Sequence, residues 1–102
     1  MRLVVWSTSA RKDLEEIFDF YSLKNLTIAT QIHNSILDEA DRLADWPEIG
    51  QQEAFLDKKK YKYPFRSLVI KRGLFKLIYF ITDNYVVISR IWSYRKNPQN
   101  LK

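Results

Sequence analysis

Four cations, Arg66, Lys76, Arg90 and Arg95, stand among the apolar residues of the stretch from Phe65 to Arg95, with Tyr94 beside the last of them. Cations set among core-type residues either carry their charge to solvent on long stems or present it to an anion. If the anion is RNA, cleavage through the 2′-hydroxyl needs a proton acceptor, a donor for the leaving oxygen, and stabilisation of the phosphorane charge. Lys76 and Arg95 supply the last of these and are the candidate catalytic residues, with Arg66 and Tyr94 as weaker members. Arginine does not give up its proton at useful pH. The base would have to be Lys76, desolvated or crowded by other cations. A nuclease built on this set is under-equipped. A second cluster, Lys58, Lys59, Lys60, Tyr61 and Lys62, interleaves lysine with tyrosine. It suits a phosphate backbone with stacked bases, and suits a lysine-solvated loop equally well.

The elements that must position these residues are three β-type runs rich in Val, Ile, Tyr, Phe and Trp. Asp83-Asn84 reads as a two-residue hairpin turn, since both types tolerate positive φ. With that turn Thr82 faces Tyr85, and an unbroken ladder places Lys76 opposite Ile91. Ser89, Ser93 and Arg95 then share the face of Lys76. Phe75, Leu77, Tyr79, Ile81, Val86, Ile88, Arg90, Trp92 and Tyr94 take the other face, which is more apolar and is assigned to the helices. On this register Lys76 and Arg95 form an exposed pair, and Arg90 is a buried-edge residue paired with a helix acid. Gly73 marks the preceding turn without fixing its type, so Arg66 cannot be assigned a face.

Upstream, Leu3 to Trp6 reads as a short strand, apolar throughout and therefore buried. Ser7-Thr8-Ser9 offers hydroxyls to the orphan amides of a helix start. Ala10, Leu14, Ile17, Phe18 and Tyr21 form one apolar stripe over about four turns. After a break capped by Asn25 or Thr27, Ile28, Ala29, Ile32, Ile36, Ala40, Leu43 and Ala44 form a second stripe, ended by Trp46-Pro47. So short a connection makes the two helices antiparallel neighbours. His33 flanks the second stripe as a half-packed boundary residue. The whole, residues 1–102, is one α+β domain: a strand, an antiparallel helical hairpin, then a three-stranded antiparallel sheet packed on it, in the order β-α-α-β-β-β.

Composition narrows the chemistry. There is no cysteine and a single histidine, which removes thiolate sites and most zinc, copper and iron sites. No metal site and no cofactor is indicated. No run approaches the ~20 apolar residues of a membrane span, and no signal peptide is evident, so the expected location is the cytoplasm. The net charge is +5, and it is unevenly placed. Of twelve Asp and Glu, residues 58–102 hold only Asp83, against twelve of the seventeen Lys and Arg. That asymmetry is the footprint of an anionic partner, nucleic acid or acidic protein, or of a solvated basic face.

Several motifs fall in a familiar order. They are Trp6-Ser7-x-x-Ala10-x-x-Asp13-Leu14-Glu15-Glu16-Ile17, Pro47-x-x-Gly50, Phe65-Arg66-Ser67-Leu68, Lys76-Leu77-Ile78-Tyr79, and Ile88-x-Arg90-Ile91-x-x-x-Arg95-x-x-Pro98. In this order and spacing the chain resembles the RelE/ParE superfamily of toxins of bacterial type II toxin–antitoxin systems, systems associated with plasmid stabilization. The resemblance covers nearly the whole chain and is nearer to ParE-like members. It implies a growth-inhibiting toxin neutralised by a cognate acidic antitoxin, alone as a homodimer or in a hetero-oligomer with that partner. ParE-like members are known as inhibitors of DNA gyrase. RelE-like members are metal-independent endoribonucleases that cut messenger RNA on the ribosome with basic and tyrosine side chains. On the nuclease pattern the sheet arginine falls at Lys76, the arginine after the last strand at Arg95, and Arg66 near a sheet lysine. The carboxy-terminal tyrosine has no counterpart, although Tyr94 offers a phenol nearby. A non-catalytic module that binds nucleic acid or antitoxin is the reading from another class.

Overall fold

A computed structural model describes residues 1–53, 63–70 and 73–94. The chain runs β1 (Leu3–Trp6), α1 (Thr8–Ser22), α2 (Leu26–Arg42), a 3-10 turn (Pro47–Ile49), β2 (Gln51–Gln52), β3 (Phe65–Ile70), β4 (Phe75–Ile81) and β5 (Tyr85–Ser93). This is the expected α+β order, with a larger sheet. The five strands form one sheet in the order β1-β5-β4-β3-β2. β1 lies parallel to β5, and the other pairs are antiparallel.

Local chemistry accounts for the helices. Ser7 caps α1 by accepting from the Ala10 amide at 3.0 Å, and Asn25 caps α2 by accepting from the Ile28 amide at 3.0 Å. Ala10, Ile17 and Tyr21 of α1 are buried, as are Ala29, Ile32, Ile36 and Ala40 of α2. They close on Ile70, Phe75, Leu77, Tyr79, Val86, Ile88 and Ile91 of the sheet. Both helices thus cover one face of the sheet. Gly73 has a φ of +91°, a conformation that favours glycine in the β3–β4 turn.

Two expectations need correction. β1 is not buried throughout: Leu3 and Val5 are exposed, while Val4 and Trp6 pack on the core. The helices cover one face of the sheet only, so alternate residues of β1 turn to the open face. The β4–β5 ladder is also not uniform. Tyr79 pairs with Ile88, but the next pair is Ile78 with Arg90, so Ser89 is an extra residue in β5. Beyond this bulge every face assignment of β5 reverses. Lys76 faces Trp92 rather than Ile91. Ile91 and Ser93 turn to the helices and are buried, and Arg90, Trp92 and Tyr94 leave the helix side.

Candidate functional site: the sheet cations and their partners

Each motif residue has a local task that explains its type. Ser7 Oγ accepts from Ala10 and donates to the carbonyl of the bulged Ser89 at 2.7 Å. The Ser7 amide donates to the Ile88 carbonyl at 2.9 Å. One turn further on, both oxygens of Asp13 take Arg90: Nε at 2.8 Å to Oδ2 and Nη2 at 3.1 Å to Oδ1. Asp13 Oδ2 also accepts from the Ile91 amide at 2.9 Å. β1 ends opposite Ile88, so the outer edge of β5 past that point lacks a strand neighbour, and Ser7 and Asp13 occupy it instead. Ala10, fully buried between them, lets α1 approach that edge closely. The Asp13 hydrogen bond raises the pKa of the Arg90 guanidinium; burial opposes it, and the charges of Asp13 and Glu16 add to the rise. The expected pairing of Arg90 with a helix acid is therefore present. Its side chain nevertheless stays 58% exposed, at the bulged edge rather than in the core.

Pro47-x-x-Gly50 forms a second knot. Tyr79 is fully buried, and its hydroxyl donates to the Pro47 carbonyl at 2.7 Å while accepting from the Gly50 amide at 2.9 Å. A Cβ on Gly50 would come within 2.3 Å of that hydroxyl and 2.7 Å of the Ser67 carbonyl, so only glycine fits. Arg66 stands beside Tyr79 in the ladder, on the helix side of the sheet. Its Nη1 donates to the Gly50 carbonyl at 2.8 Å. Arg66 thus clamps the 3-10 turn and does not join Lys76. Burial raises the Tyr79 pKa, against lowering by the Gly50 amide and the Arg66 charge.

Lys76 points to the face away from the helices and is tied to Glu53. Its Nζ lies 3.1 Å from Glu53 Oε2, which also accepts a hydrogen bond from Ser67 Oγ. Glu53 and Ser67 are both buried. Tyr94, half-buried, meets the Trp92 ring edge-on at 6.4 Å between centroids. The bulge therefore brings Tyr94 to the face of Lys76, contrary to the uniform register. Arg95 and the run Lys58, Lys59, Lys60, Tyr61 and Lys62 lie outside the described residues. Across the helical hairpin, His33 packs edge-on against Phe18 at 5.8 Å and lines an open groove of about 430 Å³ with Arg11, Leu14, Glu15 and Phe18. Among the described residues no group of His, Asp and Glu could hold a metal ion.

Sequence reasoning missed Glu53, the bonds made by the Tyr79 hydroxyl and the double role of Asp13. Glu53 carried a signal, as the acid that closes Gln51-Gln52-Glu53 ahead of a lysine run.

The family model for the ParE toxin of type II toxin-antitoxin system, parDE, matches residues 4–98. The chain belongs to the ParE toxin family. Among solved structures it is similar to the chromosomal ParDE TA system from P. aeruginosa. That likeness has a TM-score of 0.74 at 20% identity, over 91% of this chain and 96% of the other, and it shows a shared fold. No curated protein sequence matches. Both motif knots fall inside the matched residues of this ParE-family chain.

Proposed function

We propose that this ParE-family toxin halts growth by inhibiting DNA gyrase and is neutralised by an acidic antitoxin. The observation that carries the choice of target is the state of the sheet cations. Lys76 is bound to Glu53, and Arg66 holds the Gly50 carbonyl, so two of the cations that phosphate chemistry would need already serve the fold. A protein that acts by binding an enzyme needs a shaped, charged surface and no general base. Purified protein assayed on gyrase supercoiling, and separately on ribosome-bound message, tests the choice. Loss of supercoiling with intact message is expected; cut message with normal supercoiling would overturn it.

One observation favours the RNA-cleaving reading: the bulge sets Tyr94 on the same face as Lys76, which would give a phenol near an ammonium. A Lys76→Ala/Arg95→Ala variant separates the two, since full toxicity in that variant removes RNA cleavage. The neutralising partner is assigned from the family and from the basic excess of residues 58–102, which an acidic chain would complement. Among the described residues no helix is long and apolar enough to cross a bilayer.

A further inference from the structure

Glu53, Ser67 and Lys76 meet on the sheet face turned away from the helices. In the β3–β4 ladder Ser67 pairs with Ile78 and Val69 with Lys76, so Ser67 and Lys76 are diagonal neighbours on one face. Both aim a donor at one point, and Oε2 of Glu53 occupies it, with Lys76 Nζ at 3.1 Å and the Ser67 hydroxyl bonded to the same oxygen. The point is largely dry: Ser67 is 4% exposed, Glu53 8%, and the Lys76 side chain 19%.

A desolvated ion pair of this kind is often no more stabilising than apolar residues of the same volume, so its presence calls for a reason beyond stability. Chain placement suggests one. Glu53 follows the two-residue β2, and its amide holds the Phe65 carbonyl at 2.9 Å. Its backbone is fixed to β3, and its carboxylate is, among the described residues, the one acidic group at the point where Lys76 and Ser67 converge. Without that carboxylate, what remains is an ammonium and a hydroxyl converging on a single site, which is a receptor for an oxyanion. We propose that Lys76 and Ser67 form an oxyanion pocket and that Glu53 is its built-in occupant, an internal stand-in for an incoming carboxylate or phosphate group. The pocket takes one oxygen of either group where Oε2 now lies. The proposal does not depend on which target the toxin strikes.

Chemical rescue tests it. Glu53→Ala should melt lower than the wild-type protein, and sodium acetate or sodium phosphate should restore the melting temperature saturably. Sodium chloride at equal ionic strength should not, and the wild-type protein should respond to none of the three. Rescue by acetate assigns a carboxylate pocket, and rescue by phosphate a phosphate pocket. Adding Lys76→Met to Glu53→Ala should abolish rescue. No rescue by either anion, rescue that survives the loss of Lys76, or an equal response from the wild-type protein would each overturn the proposal. If Glu53→Ala does not fold, Glu53→Ser, which also vacates the Oε2 position, serves. Phosphate or acetate should then shift the Lys76 side-chain NMR resonance saturably in the variant and leave it unmoved in the wild-type protein. An unmoved resonance in Glu53→Ser would reject the pocket.

Discussion

Tyr79 shows how one hydroxyl can decide a local structure. It satisfies the Gly50 amide and the Pro47 carbonyl at once, deep in the core. Tyr79→Phe leaves both groups without that partner, and should cost about 1–3 kcal/mol in denaturant unfolding. The same residue gives a pH signature. Its folded pKa is raised above the unfolded value of about 10. Its contribution is therefore whole below that value and falls as pH climbs towards the folded pKa, because the unfolded chain releases the proton first. Alkaline melts should show this loss in the wild-type protein and a shallower loss in Tyr79→Phe. Asp13 offers a second residue-scale test. Arg90→Ala removes a half-exposed ion pair and should cost about 0.5–1 kcal/mol. Asp13→Ala also deprives the Ile91 amide of its acceptor, and should cost more, about 1–3 kcal/mol. Equal losses in the two variants would show that the amide bond contributes nothing.

The element that most changes the reading of the chain is the bulge at Ser89. Helices α1 and α2, the short clusters from which Ser7 and Asn25 cap them, and the strands β3 to β5 were legible, because period and capping are local properties of sequence. A bulge is not. Period-two counting assumes an unbroken ladder, and nothing in Val-Ile-Ser-Arg-Ile-Trp-Ser marks the extra residue. Its cause lies far away in the chain, in Ser7 and Asp13, which hold the Ser89 carbonyl and the Ile91 amide. The parallel placement of β1 was equally unreadable, since four apolar residues suit a central strand as well as an edge. Arg66 could be placed only once β3 was seen to pair with β4 as Arg66 with Tyr79. Deleting Ser89 is the element-scale test. Without Ser89 the ladder becomes regular, with Ile88 opposite Tyr79 and Arg90 opposite Ile78. Ile91 and Ser93 stay on the helix side, and the bond from Ser7 to the bulged carbonyl is lost. The deletion variant should keep a cooperative melt and lose about 0.5–1.5 kcal/mol. A variant that melts like the wild-type protein would show that the bulge is dispensable.

At the scale of the molecule, charge is divided by layer. Residues 1–57, which include the helical hairpin, carry eleven of the twelve acids, and the remaining stretch carries twelve of the seventeen cations. Three of those twelve, Arg66, Lys76 and Arg90, have partners inside the fold. The other cations of that stretch include the run Lys58, Lys59, Lys60 and Lys62. That division fits a toxin that recognises acidic protein more readily than one that cuts RNA with the same sheet. Expression of the chain alone should arrest bacterial growth, and co-expression with a cognate acidic antitoxin should restore growth. Unimpaired growth with folded protein present would contradict a toxin. The most direct test of the central claim is gyrase supercoiling of relaxed plasmid with increasing amounts of purified protein. Supercoiling should fall in a dose-dependent way, and equally with the Lys76→Ala/Arg95→Ala variant; full supercoiling at a large excess of toxin would contradict the account.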